Sequence, residues 1–129
     1  MPGGEPFSAD QRRTIDQARE QAGSGGGLDF HVYVGPAGDD PRATAQRLHG
    51  ELPVSPRCVL VLVDPPGHAV EVVTGPEARR VLSDSACGLA VLSMQTAFAA
   101  GDLVGGLVHG LHQLGDAARR PETLHADKA

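Results

Sequence analysis

The chain has 129 residues, 40% of them hydrophobic and 21% charged, which is enough apolar material for one core and too much for a disordered polymer. A net charge of -5 leaves no basic footprint for nucleic acid, and no run approaches the ~20 apolar residues that a membrane helix needs. The start, Met1 to Pro6, lacks the positive and apolar stretches of a secretion signal, and two cysteines cannot staple a domain of this size. The expectation is a reduced, cytoplasmic, single-domain protein with free thiols at Cys58 and Cys87.

Residues 1–7 read as a flexible lead. Ser8 and Gln11 have the spacing of a capping box, which predicts a helix to about Ala22 with a thin stripe of Ile15, Ala18 and Ala22. The glycine-rich run 23–27 ends that helix and precedes a strand. Phosphate-cradling loops run from strand to helix, so this one reads as a linker. Leu28 to Val34 alternates as a half-buried strand, with Phe30, Val32 and Val34 on one face and Asp29, His31 and Tyr33 on the other. Asp40 and Pro41 open a second helix that runs to about Leu52. Cys58 to Val63 is apolar on both faces, the pattern of a central strand. After a tight turn at 64–67, Ala69 to Thr74 forms a third strand, antiparallel because the connection is too short for a crossover. The first two strands, joined through a helix, should be parallel.

From Pro76 onward the pattern is helical. A short helix is expected from Glu77 to Leu82, then a longer one capped by Ser83, Asp84 or Ser85 and running to about Ala100. A last helix over about 103–116 carries the stripe Leu103, Val104, Leu107, Val108, Leu111 and Leu114. Residues 117–129 read as a charged, frayed tail. This order predicts a three-layer α/β/α sandwich with a small mixed sheet.

Several groups could carry chemistry. His109, His112 and Asp116 share a face of the last helix at spacings that can hold zinc. The plainer reading is two satisfied histidines beside the apolar stripe. Gly106 and Gly110 point to close helix packing. No G-x-S-x-G elbow supports a serine nucleophile, so the serines around Asp84 read as helix caps. Topology sorts the acidic residues into two edges. Asp39, Asp40, Asp64 and His68 fall where the parallel strands finish, the usual ligand side of open α/β sheets, although turns use such residues anyway. Residues 55–57 and 74–77 fall at the opposite edge.

The segment 61–64, the run from His68 to Gly75, and above all Ala97-Phe98-Ala99-Ala100-Gly101-Asp102-Leu103 resemble the core of the TPM domain, closest to its functionally unassigned actinobacterial versions. The resemblance extends over roughly residues 8–116 and implies an α/β/α sandwich with a four-stranded or similar sheet. It also implies an acidic cluster holding calcium or a related ion, and acid phosphatase activity in some members. Matched residue by residue, that cluster is Gly75, Glu77, Asp84 and Asp102, all at the second edge. Departures are plain: Ser55-Pro56-Arg57 stands where the family carries acidic residues and a glycine, and Gly75 is followed directly by Pro76.

The reading is therefore a TPM-like domain over 8–116 acting as a non-catalytic binding or accessory module with a degenerate acidic site and a protein partner. No cofactor is required by that reading. The alternative is a calcium- or magnesium-dependent phosphatase acting on phosphomonoesters through Glu77, Asp84 and Asp102. A third reading makes Arg57, Arg79 and Arg80 an anion-binding edge.

Overall fold

A computed structural model describes residues 7–120. Helix α1 (Ala9–Gly23) starts at the capping box, with Ser8 Oγ accepting from Gln11 N at 3.1 Å and Gln11 Oε1 accepting from Ser8 N at 2.9 Å. Strand β1 (Asp29–Val34) follows, then helix α2 (Pro41–Gly50), whose first turn is closed by Asp40 accepting from Ala43 N at 3.1 Å. A short 3-10 turn at Ser55–Arg57 leads into β2 (Cys58–Asp64), and β3 is Ala69–Thr74. A second 3-10 turn at Ala78–Arg80 replaces the expected helix over 77–82. Helix α3 (Asp84–Ala99) and helix α4 (Leu103–Arg119) complete the fold, capped by Ser83 and Asp102 respectively.

The sheet has the order β1-β2-β3, with β1 parallel and β3 antiparallel to β2. On one face Phe30, Val59, Val61, Val63, Val70 and Val72 pack against α1, α3 and α4. On the other, Leu60, Leu62 and Val73 pack against Ala45 and Leu48 of α2. This is the expected three-layer α/β/α sandwich. Helix α4 lies between α1 and α3, and its glycines explain how closely they approach. A Cβ on Gly110 would stand 2.6 Å from Met94 Cγ, and one on Gly106 would stand 2.7 Å from the Phe98 ring.

The three strands are those expected from the sequence, against the four-stranded or similar sheet that the resemblance implied, and arginines donate to outer carbonyls at both sheet edges. Arg19 Nη1 donates to Phe30 O at 2.9 Å on the β1 side. On the β3 side, Arg42 Nη1 donates to Val72 O at 2.8 Å and Arg79 Nη2 to Thr74 O at 3.0 Å. Guanidinium donors thus occupy carbonyls that a further strand would have used.

Two boundaries differ from expectation. Phe7 packs against the larger core instead of belonging to a loose lead. Helix α4 runs three residues past Asp116, because Ala118 is buried and Arg119 bonds Asp116 Oδ1 at 2.6 Å and Ser24 O at 3.3 Å. The remaining residues of the expected lead and tail, 1–6 and 121–129, lie outside the described residues.

Two helical glycines should respond to alanine with opposite signs. At Gly88 nothing lies within 4 Å of a new Cβ, whereas at Gly115 it would meet Ala22 Cα at 2.8 Å. Gly88→Ala should gain up to about 1 kcal/mol from helix propensity. Gly115→Ala should lose about 1–3 kcal/mol by overpacking. Urea-unfolding midpoints of the two variants check both signs.

Candidate functional site

The residues singled out by the sequence divide between the two ends of the sandwich. At the carboxyl ends of β1 and β2, Asp64 accepts from Ala37 N at 3.0 Å and from Gly67 N at 3.2 Å. One carboxylate therefore ties the β1–α2 loop to the β2–β3 turn. Beside it lies a cleft of ≈560 Å³ lined by Val63, Asp64, His68, Val70, Phe98 and Leu103. His68 is exposed at the rim with φ of 56°, in the left-handed region. Asp40 is spent on capping α2, and Asp39 is exposed.

At the opposite end, the exit of β3 wraps over the start of β2. Gly75 N donates to Cys58 O at 3.0 Å, and Glu77 N donates to Pro56 O at 2.9 Å. A Cβ on Gly75 would stand 2.5 Å from Pro56 O, so this glycine serves a close backbone crossing. Glu77 and Asp84 are both exposed here, the latter in the first turn of α3, where its charge favours the helix dipole. Of the three arginines proposed to bind an anion, Arg79 is occupied with Thr74 O. Arg57 and Arg80 are exposed, and their side chains enter no hydrogen bond or ion pair among the described residues.

Asp102 does not join Glu77 and Asp84. Its backbone N–H donates to Ala97 O at 2.9 Å, thirteen residues along α3 from Asp84, which places it about 20 Å away at 1.5 Å per residue. It sits with Gly101 and Leu103 at the Asp64 end of the molecule, and its Oδ1 accepts from Gly105 N at 2.9 Å. The resemblance matched it to the other edge, whereas α3 carries the chain from Asp84 to the Asp64 end before Asp102 is reached. The three carboxylates do not meet at one ion. Glu77 and Asp84 alone fall short of the six or more oxygens that calcium takes.

Of the two histidines of α4, His109 is exposed and His112 is engaged. His112 Nε2 donates to Gln21 Oε1 at 3.0 Å, and Asp116 is paired with Arg119. The His112 contact ties α4 to α1, while Asp116 pairs with Arg119 within α4.

Both cysteines are free and buried. Burial, reinforced by the Asp84 carboxylate, pushes the Cys87 thiol up to about 11. Burial also lifts Cys58, with Asp29 adding to the effect. Desolvation holds His31 below the usual imidazole value, aided by Arg19 and opposed by Asp29.

One grouping was invisible to spacing along the chain. Asp29 pairs with Cys58 in the β1–β2 ladder, and His31 lies two residues on, on the same face. One ligand atom from each, a carboxylate oxygen, an imidazole nitrogen and Sγ, lie within 4.8 Å of one another. The alternation of β1 had put Asp29 and His31 on one face, but only the strand register supplies Cys58.

The helix–strand order, the mixed sheet and its two cores define a small three-layer α/β sandwich domain. The chain belongs to the family described as "Domain of unknown function (DUF5130)", whose model matches residues 1–115. Uncharacterized proteins from two strains of Mycobacterium tuberculosis are 32% identical over 109 residues, covering 84% of this chain. The chain spans 65% of the length of those relatives.

Two solved structures share the fold. The NMR structure of BA42 from the psychrophilic bacterium Bizionia argentinensis has a TM-score of 0.76 at 20% identity, covering 90% of this chain and 83% of its own. The N-terminal domain of the cg2496 protein from Corynebacterium glutamicum has a TM-score of 0.70 at 14% identity, covering 88% and 74%. No helix among the described residues is long and apolar enough to cross a membrane.

The cap role of Asp102 makes a clear expectation. Asp102→Asn should leave stability within about 0.5 kcal/mol, since Asn caps as well as Asp, whereas Asp102→Ala should cost about 1 kcal/mol. Chemical denaturation of the two variants decides it, and a calcium-dependent difference between wild type and Asp102→Asn would revive a ligand role. Cys87 predicts a pH effect. Its folded pKa of about 11 exceeds the reference 9.0, so its contribution is full below pH 9 and is lost as pH rises toward 11. Unfolding free energy of wild type should therefore fall more steeply over that window than that of Cys87→Ala.

Proposed function

We propose that the chain is a TPM-like, non-catalytic binding module that works in the cytoplasm and engages protein surface through the outward face of α3. One observation carries this reading. From Ser85 to Gly101 the chain contains no Asp, Glu, Lys, Arg or His, yet one side of the helix built from this run faces solvent. Leu89 and Leu92 are each 60% exposed on adjacent turns, flanked by Ser85, Gly88 and Gln95. A helix apolar on every side is normally buried, and depletion of charge around large apolar groups is characteristic of interface cores. The free thiols at Cys58 and Cys87 fit a reducing compartment.

The occupant most compatible with these charges is a second copy of the chain. Two molecules of net charge -5 repel, and the α3 face lets them meet with no like charges opposed. Leu89 and Leu92, one turn apart, can pack against their own equivalents across a two-fold axis. The proposed module is the domain expected over residues 8–116 with Phe7 and the last turn of α4 added, and its larger core supports α3 from behind.

The phosphatase alternative would require a metal-bound phosphate at Glu77 and Asp84 without Asp102. Sedimentation velocity across the micromolar range tests the binding reading. The expected result is a concentration-dependent dimer that Leu89→Glu with Leu92→Glu converts to monomer, while each exposed change leaves stability within about 0.5 kcal/mol. A wild type that stays monomeric throughout overturns the second-copy reading. Hydrolysis of p-nitrophenyl phosphate that depends on calcium or magnesium and vanishes in Asp84→Asn overturns the non-catalytic one.

A further inference from the structure

We propose that Asp29, His31 and Cys58 form a binding site for a thiophilic divalent cation of the zinc class at the seam between β1 and β2. The three side chains come from paired positions of a parallel ladder, so the backbone sets their spacing. Asp29 lies opposite Cys58 and His31 opposite Leu60, and all three side chains belong to the sheet face that α2 only partly covers. Their ligand atoms lie within 4.8 Å of one another. A tetrahedral zinc with bonds of ~2.0–2.3 Å needs ligand separations of roughly 3.3–3.7 Å. Asp29 is exposed and His31 only half-buried, so both side chains have room to turn toward Cys58.

Neither Asp29 nor His31 uses its side chain in a hydrogen bond or ion pair among the described residues, so both are available to a ligand. Cys58 is fully buried, and its thiol donates to Pro53 O at 3.2 Å and to Val54 O at 3.4 Å. Those bonds place Sγ at the seam in the metal-free protein, and binding would exchange them for the bond to the cation. His49 Nε2–H donates to Cys58 O at 2.9 Å and braces the same residue from α2. Val54, whose carbonyl meets Sγ, is held at φ of 47°, an unfavourable region for a β-branched residue. Asp29 is exposed, so the seam opens to solvent at that residue.

The donor set selects the ion. One sulfur, one imidazole nitrogen and one carboxylate oxygen suit zinc or cobalt and are a poor match for calcium or magnesium. On binding, the Sγ–H bond breaks, its proton leaves to solvent, and the thiolate donates an electron pair to the cation. Thiolate and carboxylate then balance the two positive charges. The nearby Arg19 is already occupied by Phe30 O and by Asp16 at 3.3 Å. Three protein ligands leave a fourth position for water or a small anion, the pattern of zinc sites that are not purely structural.

The test is titration of the purified full chain with cobalt(II) under a non-thiol reductant. The expected result is a near-ultraviolet thiolate-to-cobalt band with tetrahedral visible bands, saturating at one equivalent and displaced by zinc, which binds such sites more tightly. Cys58→Ser should abolish the charge-transfer band, Cys87→Ser should retain it, and His31→Ala and Asp29→Asn should each weaken binding at least about tenfold. Should Cys58→Ser fail to fold by circular dichroism, His31→Ala, which keeps both thiols and alters a half-buried position, decides the matter. No band at excess cobalt, a band surviving in Cys58→Ser, or unchanged affinity in His31→Ala overturns the site. The readout is independent of self-association through α3, since neither Leu89 nor Leu92 lies near the seam.

Discussion

Strand β2 is buried on both faces, and the rest of the molecule follows from that constraint. Cys58 to Val63 leave essentially no surface to solvent, so one layer of helix is needed above the sheet and another below. With six apolar side chains alternating between two cores, each core has its own packing partners: α1, α3 and α4 on one side, α2 on the other. A strand so placed also needs both ladder edges filled, which β1 and β3 do. Because the core is almost wholly aliphatic, it is filled by close approach more than by large rings. That explains why α4 carries glycines where it passes Phe98, Met94 and Ala22.

A sheet of three strands has two edge strands for one interior strand, and closing those edges uses many of the charged groups available. Arg19, Arg42 and Arg79 donate to outer-strand carbonyls. Asp40 and Asp102 cap helices, and Asp64 joins two loops. Most ionisable residues that looked like chemistry along the chain are thus part of the scaffold. A carboxylate accepting from a helix N-terminus and a carboxylate coordinating an ion need the same short, exposed acidic side chain. Residue type alone cannot separate the two.

The two surfaces proposed to bind lie away from those positions. The α3 face differs from the rest of the exterior by its lack of charge, and the β1–β2 seam differs by bringing three unlike donors to one point. They sit on different layers of the sandwich: α3 on the side of the larger core, the seam on the side of α2. The proposed cation seam and the proposed docking face would thus be two independent surfaces of one small domain.

Local sequence determined the elements, because each has a signal that acts within a few residues. The capping box at Ser8, the alternation of β1, the two-faced apolar run of β2, the short turn before β3 and the stripe of α4 were all legible, and with them the mixed sheet. The close packing at Gly106 and Gly110 was legible too. The three strands were legible as well, whereas the donors at the sheet edges and the last turn of α4 depended on side chains from distant segments: Arg42 on Val72, Arg79 on Thr74, and Arg119 on Ser24. The candidate sites depended on tertiary structure altogether. Asp102 was matched to the second edge through the resemblance, although the expected helix from Asp84 to about Ala100 separates the two acids by about 20 Å. Asp29, His31 and Cys58 meet only through strand register, since residues twenty-seven or more apart become neighbours when a hydrogen-bonded ladder aligns them.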